Sequence, residues 1–223
     1  MDEIKFNTAD CLSLIKGLSK KDAQAICSSS HIAHYKKGTL LNQFSEDISS
    51  PFIISNGCLD IFTMSEEGKE FFLSSIEKNK LCMLFDKQFK TIMNFDIHML
   101  AKTDTDVFII NEDIFNKLIS DKAEIEAFAY KSFSESLAGI IYTSQQMLLQ
   151  SVEKRIASFL LSESDKNGIN TVFATHEQIA KYTGSAREVV TRTLSRFSIC
   201  SIVSLQRGKI VINNKEQLKH IGE

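Results

Sequence analysis

The sequence predicts an α+β protein with a strand-rich N-terminal part, a long helix and a C-terminal winged helix–turn–helix. Short apolar runs separated by turn signals fill residues 31–112, which indicates an antiparallel sandwich or barrel. A proline-free stretch with helical spacing of its apolar residues follows. Two short helices joined by a glycine then precede a small hairpin. We therefore expect three segments, 1–112, 113–150 and 151–223.

The N-terminal segment is expected to begin with helices and to continue as strands. Residues 8–30 space their apolar side chains at near-helical intervals, and Ser19 with Asp22 three residues later can cap a second short helix. Farther along, "PFIISNGCLDIFTM" joins two runs of β-branched and aromatic residues. The dipeptide Asn56-Gly57 between these runs signals a tight hairpin.

Residues 113–150 read as one long amphipathic helix. Their apolar residues recur mostly three to five positions apart, a spacing shared by Ile125, Phe128, Phe133, Leu137, Ile140, Ile141, Met147 and Leu148. The apolar stripe is wider than one domain needs to cover it, which predicts a helix–helix seam between two subunits. The alternative is a helix that lies entirely against its own domain.

Charge divides the chain into two parts. Residues 1–150 contain 15 lysines, no arginine and 21 acidic residues, a net charge of −6, whereas residues 151–223 contain 11 basic and 7 acidic residues, a net charge of +4. Attraction to phosphate depends on local charge, so only the C-terminal part is suited to nucleic acid. Two domains with different tasks are the simplest interpretation.

Other features of the composition indicate a cytoplasmic protein. No run of about 18 apolar residues is present, and the polar start "MDEIKFNTADC" lacks the order of a signal peptide. The five cysteines are scattered without a C-x-x-C pair, which argues against a zinc module or a disulfide framework. We expect free thiols in a reducing compartment and no contact with membranes.

The segment "THEQIAKYTGSAREVVTRTLSRF", residues 175–197, has the order of a helix–turn–helix. Thr175 followed by Gln178 has the spacing of a capping box, and Gly184 can take the positive φ of a tight turn. Ser185 is expected to start the second helix, with Glu188 three residues later. The second helix of such a motif enters the DNA major groove.

Helical geometry places the polar residues of this second helix on one face. With Arg187 at 0°, Thr191 falls at roughly 40°, Glu188 at 100° and Arg192 at 140°, opposite an arc of apolar residues. Arginine can donate twice to guanine and glutamate can accept from cytosine, so this face suits base reading. The alternative is structural: Glu188 would close a capping box with Ser185 or pair with Arg192.

Three stretches resemble the cyclic-AMP receptor protein/FNR (CRP/FNR) family of bacterial transcription regulators: "GTLLNQFSED", "SNGCLDIFTMSEEGKEFFLSSI" and "SAREVVTRTLSRF". The last is similar to the family's recognition helix, with an R-E-x-x-x-R core at Arg187, Glu188 and Arg192. The resemblance implies a β-roll sensor domain of the cyclic-nucleotide-binding, jelly-roll type, a long dimerisation helix and a winged helix–turn–helix. It also implies a homodimer on a two-fold symmetric operator, often with TGTGA-like half-sites, and RNA polymerase as a partner. Ala186 replaces the serine that is common before the arginine.

The sensor region departs from the family members that bind cyclic nucleotides. Those members carry a glycine-glutamate pair and an arginine-serine pair, where this chain reads "EKNKLCMLF" and "KTIMNFDIHML". We therefore expect a different signal, either another small molecule or a redox change. Cys11 and Cys27 alone cannot supply the N-terminal cysteine cluster of the iron–sulfur members. No cofactor is predicted, although haem on His31, His34 or His98 stays open.

The residues expected to contact DNA are Arg187, Glu188, Thr191, Arg192, Ser185, Thr175 and, in the wing, Arg207. The residues expected to line an effector pocket between the β-roll and the long helix are Cys82, Met83, Leu84, Phe85, Phe128 and Tyr130. The latter fit a plain core equally well. No enzyme activity is expected. The alternatives are a cupin-like metal enzyme that uses the three histidines, or a protein-interaction module with a degenerate helix–turn–helix.

Overall fold

The computed structural model describes residues 8–15, 17–42, 49–65, 70–83 and 97–222. The chain divides into two compact units. Unit 1 comprises Met1–Glu67 and Leu73–Ile141, and unit 2 comprises Gly68–Phe72 and Tyr142–Glu223. No helix in the described ranges combines the length and the apolar character that crossing a bilayer requires.

Two short helices and two antiparallel sheets make up the described part of the chain before residue 110. In chain order its elements are α1 (Thr8–Ser13), α2 (Lys20–Ser29), β1 (His31–Tyr35), β2 (Leu40–Asn42), β3 (Phe52–Asn56), β4 (Cys58–Met64), β5 (Glu70–Glu77), β6 (Leu81–Cys82), β7 (Ile97–Ala101) and β8 (Thr105–Ile109). The strands form two four-stranded sheets, of order β1-β8-β3-β6 and β2-β7-β4-β5. Apolar side chains from both sheets share one core, with Phe52 and Ile54 from the first and Leu59, Ile61 and Met99 from the second. The antiparallel α+β fold that the sequence predicts is confirmed.

The turn at Asn56-Gly57 is present, but the hairpin expected there is wrong. Strand β3 pairs with β6 and β8, whereas β4 pairs with β7 in the other sheet. Gly57 has a φ of 86°, and a Cβ on it would lie 2.4 Å from the backbone oxygen of Asp104. Residue 57 must therefore be a glycine, because the backbone at Asp104 leaves no room for a side chain where the chain passes from one sheet to the other.

The N-terminal cap of α2 matches the prediction. The Ser19 hydroxyl accepts from the backbone N–H of Asp22 at 3.2 Å, and the Asp22 carboxylate accepts from the backbone N–H of Ser19 at 2.9 Å. This reciprocal capping box satisfies two of the donors that a helix start leaves open.

Residues 113–150 hold two helices instead of one, α3 (Glu112–Asp121) and α4 (Ala123–Leu149). The break is at Lys122, whose backbone is extended and whose ammonium group pairs with the Asp22 carboxylate. The buried residues Phe115, Leu118 and Ile125 would share one face of an uninterrupted helix. The helical spacing of apolar residues therefore continues across the break. This spacing gives no sign of the ion pair between Lys122 and Asp22, which are far apart in the chain.

Unit 2 contains helices packed on one core and a small sheet. Its elements after α4 are α5 (Val152–Asn167), β9 (Thr171–Val172), α6 (His176–Thr183), α7 (Arg187–Ile199), β10 (Val203–Gln206), β11 (Lys209–Ile212) and α8 (Lys215–Gly222). All four of these helices contribute buried residues to the core, and the sheet has the order β10-β11-β9. Gly168 ends α5 in the left-handed conformation, with a φ of 66°. Gln206 pairs with Lys209 across the tip of the hairpin, so the expected wing is present.

Candidate nucleic-acid interface

Helices α6 and α7 form the predicted helix–turn–helix. Thr175 caps α6, because its hydroxyl accepts from the backbone N–H of Gln178 at 3.1 Å and the Gln178 amide oxygen accepts from the Thr175 N–H at 2.8 Å. Gly184 ends α6 in the left-handed conformation, with a φ of 59°. A glycine meets this requirement without the cost that a Cβ would add.

Ser185 does not start α7 as the sequence suggested. Its backbone N–H donates to the Ala180 carbonyl at 3.0 Å and so closes the end of α6. Its side chain is buried, and its hydroxyl donates to the Thr183 carbonyl at 3.2 Å. Ala186 is the N-cap of α7 and supplies no side-chain cap. The capping box between Ser185 and Glu188 is therefore not formed, and Ser185 faces the turn.

Arg155 on α5 holds this turn and is a residue that the sequence analysis missed. Its Nε donates to the Thr183 carbonyl at 2.8 Å, and its Nη2 donates to the Ser185 hydroxyl at 3.3 Å. Its Nη1 donates to the carbonyls of Met147 at 2.8 Å and Gln150 at 2.7 Å, which close the C-terminal end of α4. Burial lowers the pKa of Arg155. The available signal was its residue type, since no arginine occurs before it.

The polar face of α7 is exposed and its apolar face is buried, as the helical geometry predicts. Val190 and Leu194 are fully buried and Phe197 nearly so, in one cluster with residues of α5, α6 and the small sheet. The predicted base-reading side chains Arg187, Glu188, Thr191 and Arg192 are all exposed.

The charged side chains on the exposed face of α7 do not pair with one another. Within the described ranges, the side chains of Arg187, Glu188 and Arg192 make no hydrogen bond or ion pair. The alternative in which Glu188 pairs with Arg192 along the helix is therefore not formed. Two guanidinium groups and a carboxylate face solvent on one side of the helix, ready for an external partner.

Arg196, the third arginine of the segment, has a different environment. Its guanidinium pairs with the Glu153 carboxylate on α5, in a bridge whose side chains are 55% and 45% exposed. An exposed pair of this kind contributes about 0–1 kcal/mol. Arg196 thus has a carboxylate partner on α5, whereas the side chains of Arg187 and Arg192 have none among the described residues.

A shallow groove of about 490 Å³ runs between the starts of α6 and α7 and the wing. The groove brings together three predicted contacts from separate elements, Thr175, Arg187 and Arg207, with His176 beside them. Two guanidinium groups and a helix N-terminus on one concave surface favour a phosphate group. The exposed face of α7 and this groove form a continuous set of candidate DNA contacts.

Unit 1 has its own cavity, of about 780 Å³, between strands β5 and β6 and helix α4. Ser74, Ser75, Ser132 and Ser136 are among its lining residues, and Lys80 donates to Glu135 at 3.0 Å within the same lining. The hydrogen bond from Lys80 lowers the pKa of Glu135.

The six residues predicted for the effector pocket have different locations. Phe128 lines the cavity of unit 1. Cys82 is buried in the core between the sheets, Met83 packs against a second core cluster, and Tyr130 is 73% exposed. Leu84 and Phe85 lie outside the described residues.

The three candidate haem histidines are placed in two different sheets. His31 and His34 lie on β1, where the His34 Nδ1 is 2.6 Å from the Asp106 carboxylate. His98 lies on β7, where it is buried and stacked on Phe62. Among the described residues, no group of three or more His, Cys, Asp or Glu side chains could hold a metal ion.

Comparison with known proteins agrees with this geometry. A model of the Crp-like helix–turn–helix domain matches residues 154–221. A crystal structure from Eubacterium rectale, described as a transcriptional regulator of the CRP/FNR family, is 29% identical, covers 96% of this chain and 99% of its own, and superposes with a TM-score of 0.85. The similarity to the CRP/FNR family that the sequence predicts is confirmed.

Two further proteins are similar to this chain. The anaerobic regulatory protein of Bacillus subtilis is 22% identical over 82% of this chain and 80% of its own length. FixK2 from Bradyrhizobium japonicum has the same fold at 15% identity, with a TM-score of 0.66 over 87% of this chain and 98% of its own. The predicted function as a CRP/FNR-type transcription regulator is confirmed, and such regulators bind DNA and act as dimers. Among these relatives, the Eubacterium rectale protein is described as a transcriptional regulator and the Bacillus subtilis protein as an anaerobic regulatory protein.

Proposed function

We propose that this CRP/FNR regulator reads a two-fold symmetric duplex site by inserting α7 into the major groove of each half-site. The observation that supports this most is the exposed set Arg187, Glu188 and Arg192, whose side chains have no partner among the described residues and lie opposite the buried Val190 and Leu194. Arginine can donate two parallel hydrogen bonds to guanine O6 and N7, and glutamate accepts from the cytosine amino group. Each good contact discriminates by about 1–3 kcal/mol.

Contacts to the DNA backbone are assigned to the groove beside α7. Thr175 at the start of α6 and Arg207 at the tip of the wing lie on its two sides. Contacts of this kind fix the register of the protein on the duplex without reading sequence. Ser185 is left out of the interface because its hydroxyl is committed to the turn and to Arg155.

The second subunit is assigned to an exposed apolar stripe on α4. Tyr130, Leu137, Ile141 and Leu148 are 73%, 38%, 58% and 83% exposed. At 100° per residue they fall within roughly 40° of one another, so they form a single straight seam along the helix. A seam with this spacing is typical of two helices packed side by side. It supports the interpretation of α4 as a dimerisation helix.

The effector is assigned to the cavity of unit 1. Its described lining contains no arginine. Its two lysines, Lys80 and Lys131, both lie beside the Glu135 carboxylate, at 3.0 and 3.9 Å, and Glu124 adds a second carboxylate. Because the positive and negative charges of the lining balance, it suits a neutral or zwitterionic molecule better than the phosphate of a cyclic nucleotide. Titration calorimetry with cyclic AMP should give no binding heat, and tight binding would contradict this part of the proposal. RNA polymerase is the expected protein partner on the promoter.

The DNA-reading proposal is tested by selecting preferred sites from random duplexes with the wild type, Arg192→Ala and Arg196→Ala. Arg192→Ala should lose discrimination at one position of each half-site, by roughly 10-fold or more. Arg196→Ala is the matched control, because the same residue type one turn away pairs with Glu153. It should keep the wild-type site. An unchanged preferred sequence for Arg192→Ala would contradict the proposal.

A further inference from the structure

We infer that His176 sets the specificity of the protein by fixing the Thr191 hydroxyl, so that Thr191 can only accept a hydrogen bond from a base. The inference rests on the proposed function of α7. It adds a residue from outside the recognition helix to sequence reading. His176 is the first residue of α6, and Thr191 lies on the exposed face of α7.

Hydrogen-bond accounting at Thr191 supports the inference. The Thr191 Oγ1 lies 2.9 Å from the Arg187 carbonyl oxygen, which can only accept, so the single hydroxyl proton points there. The His176 Nδ1 lies 2.9 Å from the same Oγ1. Because the hydroxyl proton is already used, this nitrogen must carry a proton and donate it to Oγ1.

The two bonds fix the rotamer of Thr191 and leave one lone pair of its oxygen for DNA. That lone pair can accept from the amino group of adenine or cytosine, and it cannot serve O6 and N7 of guanine or O4 of thymine. A threonine without His176 could turn about χ1 and offer its proton instead. His176 therefore converts an ambivalent hydroxyl into an acceptor and narrows the base pairs that α7 tolerates at this position.

The residues around His176 indicate that its contact with Thr191 does not depend on a positive charge on the imidazole. The groove that contains His176 is also lined by Glu177, Arg187 and Arg207. The two arginines can pair with a phosphate group without help from the imidazole. Nδ1 carries a proton in the imidazolium and in the one neutral tautomer that can donate to the Thr191 Oγ1.

The test uses full-length protein. A comparison of the wild type with Thr191→Val first identifies the base pair whose preference depends on Thr191. Competition is then measured between operators that differ only at that base pair. The wild type should prefer one base pair there by about 5- to 10-fold. His176→Leu removes the donor and should lose most of that preference. His176→Asn, whose amide nitrogen is as far from the backbone as Nδ1, should retain it. In Thr191→Val protein, His176→Leu should have no additional effect on this position, because the two residues act as one unit.

A His176→Leu variant that lowers affinity for every sequence by the same factor would overturn the inference, because it would indicate a phosphate contact. An effect of His176→Leu that adds to that of Thr191→Val at the tested position would overturn it too. The same holds for a nitrogen NMR spectrum with an unprotonated Nδ1 in the free protein. Thermal unfolding of each variant checks that α6 is intact. If the wild type has a preferred operator and His176→Leu keeps the same base preference, only this inference is overturned. If the wild type has no preferred site, the proposed function is overturned too.

Discussion

Helices α4 and α7 each leave one face uncovered, and the two faces have opposite chemistry. The open face of α4 carries four apolar side chains in line, whereas that of α7 carries two arginines and a glutamate without partners among the described residues. Both helices are held from behind by buried apolar residues, Ile125 and Ala129 on α4 and Val190 and Leu194 on α7. The anchoring is the same, and only the open face differs.

This difference indicates the kind of partner that each helix fits. Water solvates an exposed charged face at no great cost, so α7 can remain open until DNA arrives. An exposed apolar seam costs about 25 cal/mol for each Å² left in water, which favours permanent cover by an equivalent seam. The comparison predicts that α4 is covered in the resting protein and that α7 is not.

The largest expected effect is loss of the dimer. Ile141→Glu places a charge in the seam and should yield monomers in sedimentation velocity, with binding to a two-half-site operator weakened by about 10²- to 10⁴-fold. Tyr142→Glu is the matched control, since Tyr142 is 62% exposed against 58% for Ile141 but points roughly 120° away from Tyr130. Dissociation of both variants, or of neither, would place the subunit contact elsewhere.

The next effect concerns Arg155, which joins the end of α4 to the turn before α7. Arg155→Ala leaves three carbonyl groups without this donor and should lower the free energy of unfolding by about 2–4 kcal/mol. Arg155→Lys keeps the charge but cannot reach all four acceptors, so it should rescue only part of the loss. Calorimetric unfolding measures both. A lysine variant as stable as the wild type would show that charge alone suffices.

The sequence predicted best what depends on a single helix. The two faces of α7 follow from its 3.6-residue period, and the capping boxes of α2 and α6 follow from residues three apart. The location of Ser185 was missed because the end of α6 and the distant Arg155 both use it. The break at Lys122, which pairs with Asp22, and the passage between the sheets at Gly57 were also missed. Contacts between residues far apart in the chain do not appear in the local spacing of polar and apolar residues.

A smaller effect is expected in the turn that sets the direction of α7. Gly184→Ala puts a Cβ into left-handed backbone, at about 1–2 kcal/mol, and 3.1 Å from the Met147 sulfur. Gly168→Ala, at a φ of 66° with nothing within 4 Å, is the matched control for the backbone cost alone. Chemical denaturation of the two variants should show the greater loss at Gly184. Equal losses would show that Met147 moves aside freely.

The smallest effect is at the start of α4, where Asp22 pairs with Lys122. The hydrogen bond from Lys122, followed by those from Ser19, lowers the pKa of Asp22 from 3.8 to about 2. The folded state therefore favours the ionised carboxylate, and its contribution is complete above about pH 4 and is lost as the pH falls through about 2. Asp22→Asn should lower the thermal midpoint at pH 7, and the difference from the wild type should shrink between pH 4 and pH 3. Circular dichroism melts across this range measure it. A difference that stays constant with pH would mean that the variant acts through the shape of the cap of α2 and not through the charge that fixes where α4 begins.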